Sequence, residues 1–279
     1  NYSVTESPPT SFSRGAVSRR KVKVITKNQQ KNIRNCQALR THRKSMCGRF
    51  ALHTDQQTLA SYFDTQPLPD MLAPEPRFNI APSMWHPVIL ASPPVGGDGK
   101  APRHTRLMKW GLIPSWSNCD SKIKPINARS ETASEKPMFK HLLNNKRCII
   151  PADGWYEWST GNDGKRPYWH HHLEGKPLGL AGLWSSWSST NGDAVESFTI
   201  LTCQAHSNIN HIHHRMPVLL SQENWQIWLD DSVSSAQASE LIDAETVHSA
   251  AVEIDYYQVS TNVNKVANDN PQLIDQIHL

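Results

Sequence analysis

Residues 147–204, RCIIPADGWYEWSTGNDGKRPYWHHHLEGKPLGLAGLWSSWSSTNGDAVESFTILTCQ, decide the fold. Within them RCIIPA, GWYEW, PYWHHHL, LGLAGLW and ESFTILTC are short runs rich in aromatic and aliphatic residues, which is the composition of strands. GNDG at 161–164, EGK at 174–176 and NGD at 191–193 supply turn chemistry between them. Strands joined by such short connections pair antiparallel, so the stretch predicts a mainly antiparallel sheet. Working outward, Thr54 with Gln57 forms a capping-box pattern ahead of Leu59, Ala60 and Phe63. A second helix is expected over 136–144 with Phe139, Leu142 and Leu143 inward, and a third from Ser221 with Trp225, Trp228 and Leu229 on one face. Residues 92–104, SPPVGGDGKAPRH, read as an exposed loop. Strand and helix do not alternate regularly, which excludes a doubly wound sheet and makes the class α+β.

The 279 residues suit one large domain or two small ones, and the net charge of +4 conceals a partition. Residues 1–45 carry 11 Lys or Arg against the single acid Glu6, so the remaining 234 residues are net −6. This opening stretch has no sustained hydrophobic period and reads as a disordered basic extension: a nucleic-acid-binding arm, a transit-like peptide, or a stretch untranslated or removed. Met46 stands immediately before the first well-patterned residues. Residues 100–147 hold 11 basic and 3 acidic side chains, a density able to follow a phosphate backbone and equally able to be a solvated face. No apolar stretch is long enough to span a membrane, and no secretory h-region opens the chain. Five widely spaced cysteines without a CxxC pair argue against a disulfide framework and a standard zinc site, and favour a reducing compartment.

Four polar residues stand in constrained contexts: Cys47 in MCGRF, Asn127 in PINARSE, Glu157 in GWYEW and His213 in IHHRMP. A carboxyl between Trp155, Tyr156 and Trp158 would be raised in pKa if buried and could hold and return a proton; an outward-facing strand residue is the competing reading. His170, His171 and His172 alternate along a strand without a ligand partner and read as surface histidines, not a metal site. Cys148 and Cys203, inside apolar runs, suit structural roles. Cys47 differs. If Met46 is removed, Cys47 bears a free α-amine and a thiol, a 1,2-aminothiol that condenses with an aldehyde through an imine to a thiazolidine ring.

Together MCGRF, RFNIAPS, KWGLIPSW, INARSET, RCIIPADGWYEW, ESFTILTCQA and IHHRMPVLL resemble, in that order, the SRAP family (SOS response-associated peptidase), the abasic-site processing proteins. The resemblance covers residues 46–270, leaving 271–279 as a C-terminal tail. It implies a single compact, barrel-like, mainly antiparallel α+β domain that binds single-stranded DNA at abasic sites and cross-links reversibly to the sugar aldehyde. Cys47 would be the nucleophile, Asn127 would orient its amine, Glu157 would shuttle the proton, and His213 would assist imine formation and release. Arg49, Arg129 and Arg215 would hold phosphates, while Asn79, Pro82, Trp110 and Trp158 would shape the bend and stack on bases. No cofactor and no metal are implied. The expected setting is a cytoplasmic monomer, nucleoid-associated if the source is bacterial, with the replication machinery as partner and no membrane contact. The cysteine is also thought able to cut the chain before itself. Two other classes remain open: an autoprocessing cysteine peptidase or N-terminal-nucleophile hydrolase, and a non-covalent single-stranded DNA-binding module in which Cys47 is dispensable.

Overall fold

The computed structural model describes residues 48–92, 101–117, 123–161, 164–189 and 194–277. In chain order the first half runs β1 (Phe50–Leu52), α1 (Gln56–Tyr62), β2 (Thr65–Gln66), β3 (Arg77–Ile80), β4 (Trp85–Ala91), β5 (Arg103–Trp110), β6 (Asn127–Arg129), α2 (Ser130–Ala133) and α3 (Pro137–Asn145). The strands of the second half are β7 (Arg147–Ala152), β8 (Gly154–Gly161), β9 (Gly164–His172), β10 (Leu178–Ser188), β11 (Ala194–Gln204), β12 (Arg215–Pro217) and β13 (Leu219–Leu220). Helices α4 (Gln222–Leu229), α5 (Ser235–Glu240) and α6 (Ala244–Ala251) follow, then β14 (Ile254–Gln258) and short 3-10 turns at Thr261–Asn264 and Pro271–Ile274.

The five runs of residues 147–204 are β7 to β11, and the hairpins β8–β9 and β10–β11 pair antiparallel as their sequence requires. The GNDG and NGD turns fall on 162–163 and 191–193, outside the described residues; Gly175 of EGK takes φ +67. One sheet has the order β14-β9-β8-β1-β3. The other runs β12-β11-β10-β7-β4-β5-β2, and a parallel pairing of Ser197 with Lys109 and Phe198 with Trp110 joins β11 back to β5. That pairing closes β4, β5, β7, β10 and β11 into a mixed five-strand barrel, the mainly antiparallel α+β core expected from the sequence.

The sheets share one main core that includes the buried side chains of Val88, Met108, Trp110, Ile149, Leu180, Leu183, Phe198 and Ile200. Phe50 of β1 packs edge-on against His86 at 4.7 Å and Trp110 at 4.9 Å, which ties the smaller sheet to this core. Helix α3 buries Phe139 and Leu143 with Leu142 half-buried, and α4 buries Trp225, Trp228 and Leu229.

Three local expectations are corrected. The cap of α1 is Asp55, which accepts from the amides of Gln57 and Thr58, because the Thr54 hydroxyl is taken by buried Asp153 at 2.6 Å. The stretch 92–104 is not all loop: β5 begins at Arg103, while 93–100 lie outside the described residues. Of the β9 histidines expected at the surface, His171 is half-buried and the other two are not at the surface. His170 is 1% exposed and stacks on Trp155 at 4.8 Å, and His172 is buried as well; burial pushes the His170 imidazole down to about 3.

Candidate functional site

Strand β8 is buried on both faces, and its two-residue period separates them. Tyr156 points into a cluster with Trp169, Val259 and Val263, and its hydroxyl donates to the Phe78 carbonyl at 2.7 Å. Trp155 points into the main core, and Glu157 follows it on the same face with 4% of its side chain exposed. The outward-facing alternative for Glu157 is therefore excluded. Strand β1 runs antiparallel to β8 with Phe50 opposite Trp155, and the Tyr156 amide donates to the Arg49 carbonyl at 3.0 Å. The same register sets buried Gly48 opposite Glu157. Cys47, the residue before Gly48, lies outside the described residues.

His213 reaches Glu157 from a different segment. Residues 205–214 form a loop closed by the Ala205 amide on the His214 carbonyl at 3.1 Å and anchored by the buried side chains of Ile209 and Ile212. The loop delivers the His213 ring with Nδ1 at 3.9 Å from Glu157 Oε2. Nδ1 also lies 3.1 Å from both the amide nitrogen and the carbonyl oxygen of Arg215. Either neutral tautomer thus finds a backbone partner, so the ring can exchange a proton without losing its anchor. Burial, then the neighbouring His214 and Arg215, hold the imidazole below its usual range, so it is neutral at neutral pH.

Asn127 opens β6, which lies parallel to β11 with Asn127 opposite Ile200, while β12 sits on β11 with Arg215 opposite Gln204. The half-buried Asn127 and His213 are in this way carried by segments that flank β11. Arg129, two residues on, is exposed. Arg215 is 8% exposed and engages both carboxylate oxygens of Glu131.

Three of the residues expected at the DNA also converge on one protein segment. Arg49 Nη1 donates to Asn79 Oδ1 and to the Val263 carbonyl, each at 2.7 Å. The fully buried Asn79 amide donates to the carbonyls of Val263, Lys265 and Asn268. Trp158 Nε1 donates to Asn264 Oδ1 at 2.7 Å, and Asp269 accepts from Arg77 and from the amides of Phe78 and Asn79. Residues 260–269 form a strap that clamps β1 and β3. Burial lowers the pKa of Arg49, though it stays a cation at neutral pH, with Tyr156 opposing the shift.

Trp110 requires correction. Its ring is 1% exposed, packs parallel to Phe198, and donates through Nε1 to the Ile126 carbonyl at 2.9 Å, so it cannot stack on a base. Six residues later Trp116 is 64% exposed, and sequence reasoning missed it; a tryptophan between two serines just after a proline was the available signal. Pro82 is exposed beside Ser83, which takes φ +73. The basic run 100–147 is also not one free face. Arg147 is buried on the carbonyls of Trp228, Leu143 and Asn144, Arg103 bonds the Phe63 carbonyl, and Arg106 pairs with Glu196. Cys148 and Cys203 are free and buried, and burial pushes the Cys203 thiol up to about 12. Among the described residues no three His, Cys, Asp or Glu side chains converge as metal ligands, and no helix is long and apolar enough to cross a membrane.

Comparison with known proteins meets the same residues. The sequence model for SOS response associated peptidase (SRAP) matches residues 46–266. The abasic site processing protein YoqW of Bacillus subtilis (strain 168) is 36% identical over 237 residues, spanning 82% of this chain and 99% of that protein. YedK of Escherichia coli (strain K12), of the same description, is 34% identical over 83% of this chain and 100% of its own. HMCES of Gallus gallus, again an abasic site processing protein, is 33% identical over 73% of this chain and 67% of its own. Among solved structures, a protein from Bacteroides thetaiotaomicron superposes with TM-score 0.71 at 25% identity, covering 83% of this chain and 100% of that one. The ordered motifs from MCGRF to IHHRMPVLL, the barrel they build and these relatives agree, and the chain belongs to the SRAP family.

Proposed function

We propose that the protein acts in the DNA-damage response by binding single-stranded DNA at abasic sites and capturing the ring-opened sugar through Cys47. The observation that carries the reading is the buried Glu157 carboxyl, 3.9 Å from His213 Nδ1 and across the β1–β8 register from Gly48, one residue along the chain from Cys47. The α-amine of Cys47 adds to the C1′ aldehyde and the carbinolamine loses water to give an imine. The thiol then adds to the imine carbon, and the nitrogen takes up the proton the sulfur releases. The net change is the loss of one water, and the reverse sequence reopens the ring. Glu157 supplies the proton to the departing hydroxyl and moves the thiol proton, neutral His213 relays it, and Asn127 orients the amine. Such chemistry requires a free α-amine on Cys47, generated by removal of Met46 or by cleavage of the bond before Cys47. Arg49 and Arg129 supply positive charge for the phosphates, while the expected phosphate role of Arg215 gives way to its two-point contact with Glu131; Trp158 and Pro82, with exposed Trp116, flank the bases. We take the working protein to be a monomer on cytoplasmic DNA that meets the replication machinery there.

A denaturing gel tests the reading. Protein incubated with an abasic single-stranded oligonucleotide is expected to give a heat-stable shifted band that Cys47→Ala abolishes. Turnover of peptide or amide substrates without a band would indicate the hydrolase, and equal salt-sensitive binding by wild type and Cys47→Ala without a band would indicate the non-covalent module.

A further inference from the structure

We propose that Glu131 is a positioning residue of this site: through Arg215 it sets the His213 ring against Glu157. The inference rests on Glu157 and His213 being the proton-transfer pair. Its observation is separate. Arg215 carries its charge into a nearly closed environment, with 8% of its side chain exposed, and a guanidinium there needs a carboxylate partner. Glu131 is 44% exposed and reaches in from the first turn of α2, placing one oxygen on Nη1 and the other on Nη2, the latter at 2.9 Å. A two-point contact between planar groups fixes the guanidinium's orientation as well as its location. Nη2 additionally bonds the Thr202 carbonyl and lies 3.3 Å from Thr202 Oγ1. Burial acts to raise the Glu131 pKa, but the Arg215 bond and the charges of Arg215 and Arg129 outweigh it, so the carboxylate stays ionised.

Thr202 is the point where the two functional segments meet. It pairs with Arg129 of β6 on one side and with Pro217 of β12 on the other. The Glu131–Arg215 bridge therefore spans β11 and staples the segment carrying Asn127 to the segment carrying His213. The connection to the ring is short, since the Arg215 amide lies 3.1 Å from His213 Nδ1. Loss of the carboxylate leaves a buried guanidinium without its counter-charge, and the strand end that carries this amide must shift to rehydrate it.

The test is epistasis in the full chain. Single-turnover adduct formation on saturating abasic DNA is measured for wild type, Glu131→Gln, His213→Ala and the double variant. Glu131→Gln is expected to slow adduct formation about tenfold, with affinity for DNA holding a non-reactive tetrahydrofuran site unchanged within about twofold. In the His213→Ala background it is expected to add no further loss. An equal loss in both backgrounds, or a loss seen in affinity alone, overturns the inference. Glu131→Asp, which keeps the charge with a shorter reach, is expected to recover part of the rate; no recovery also counts against it. Nitrogen-15 spectra of the histidine rings without DNA give a readout independent of the adduct. The His213 Nδ1 signal is expected to move in Glu131→Gln, and an unmoved signal overturns the inference even if wild type forms no adduct, a result that would separately remove the proposed function.

Discussion

Trp110 and Trp116 lie in one motif, KWGLIPSW, and are opposite in kind. Trp110 fills the barrel against Phe50 and Phe198, so Trp110→Ala is expected to cost about 3–5 kcal/mol of stability, read by denaturant unfolding, while the folded fraction binds DNA as wild type does. Trp116 is exposed, and Trp116→Ala is expected to leave the unfolding midpoint unchanged and weaken single-stranded DNA binding roughly tenfold, the loss of one base stacked on an aromatic ring. Equal affinities would exclude Trp116 from the DNA surface. The groups of the proposed chemistry could be singled out in the sequence because Cys47, Asn127, Glu157 and His213 each stand in an unusual local context. Their supports could not. That Arg49 and Asn79 hold residues 263–268, and that Arg215 holds Glu131, depends on contacts across 214 and 84 residues of chain, for which no local pattern exists.

At the level of elements, strands β7 to β11 and helices α3 and α4 could be read because period-2 and period-3.6 patterns are local properties. The closing β5–β11 pair, like the α1 cap, could not, because distant Ser197 and Asp153 decide them. The β8–β9 hairpin that carries Glu157 depends on a close approach at Gly154. A Cβ added there would meet the His170 carbonyl oxygen at 2.2 Å and the Trp169 ring at 2.5 Å, and a strand carbonyl cannot move aside as a flexible side chain can. Gly154→Ala is expected to destabilise by about 3 kcal/mol and to slow adduct formation by displacing Glu157. Gly175→Ala, at φ +67 with open space around it, is expected to cost only about 1 kcal/mol, from backbone strain. Thermal unfolding of the two variants side by side checks the ranking.

For the whole molecule, the buried histidines set the response to acid. Burial lowers His86 and His170 to about 3 in the folded state, against about 6.5 unfolded. The unfolded chain therefore binds protons that the native one refuses, and stability present above pH 6.5 is lost as pH falls toward 3. Between pH 7 and pH 5 each of these histidines is expected to remove about 2 kcal/mol, measured as the change in urea unfolding free energy, and His86→Gln should flatten the slope. The strap adds a temporal consequence. Residues 260–269 hold Arg49, Asn79 and Trp158, yet they leave the ribosome well after all three, 214 residues behind in the Arg49–Val263 contact and 106 in the Trp158–Asn264 contact. A nascent chain thus makes β1 long before it owns the clamp that holds it, so, if Cys47 captures damaged DNA as proposed, that capacity switches on only once synthesis has passed the strap, and unfinished chains are spared from becoming lesions themselves.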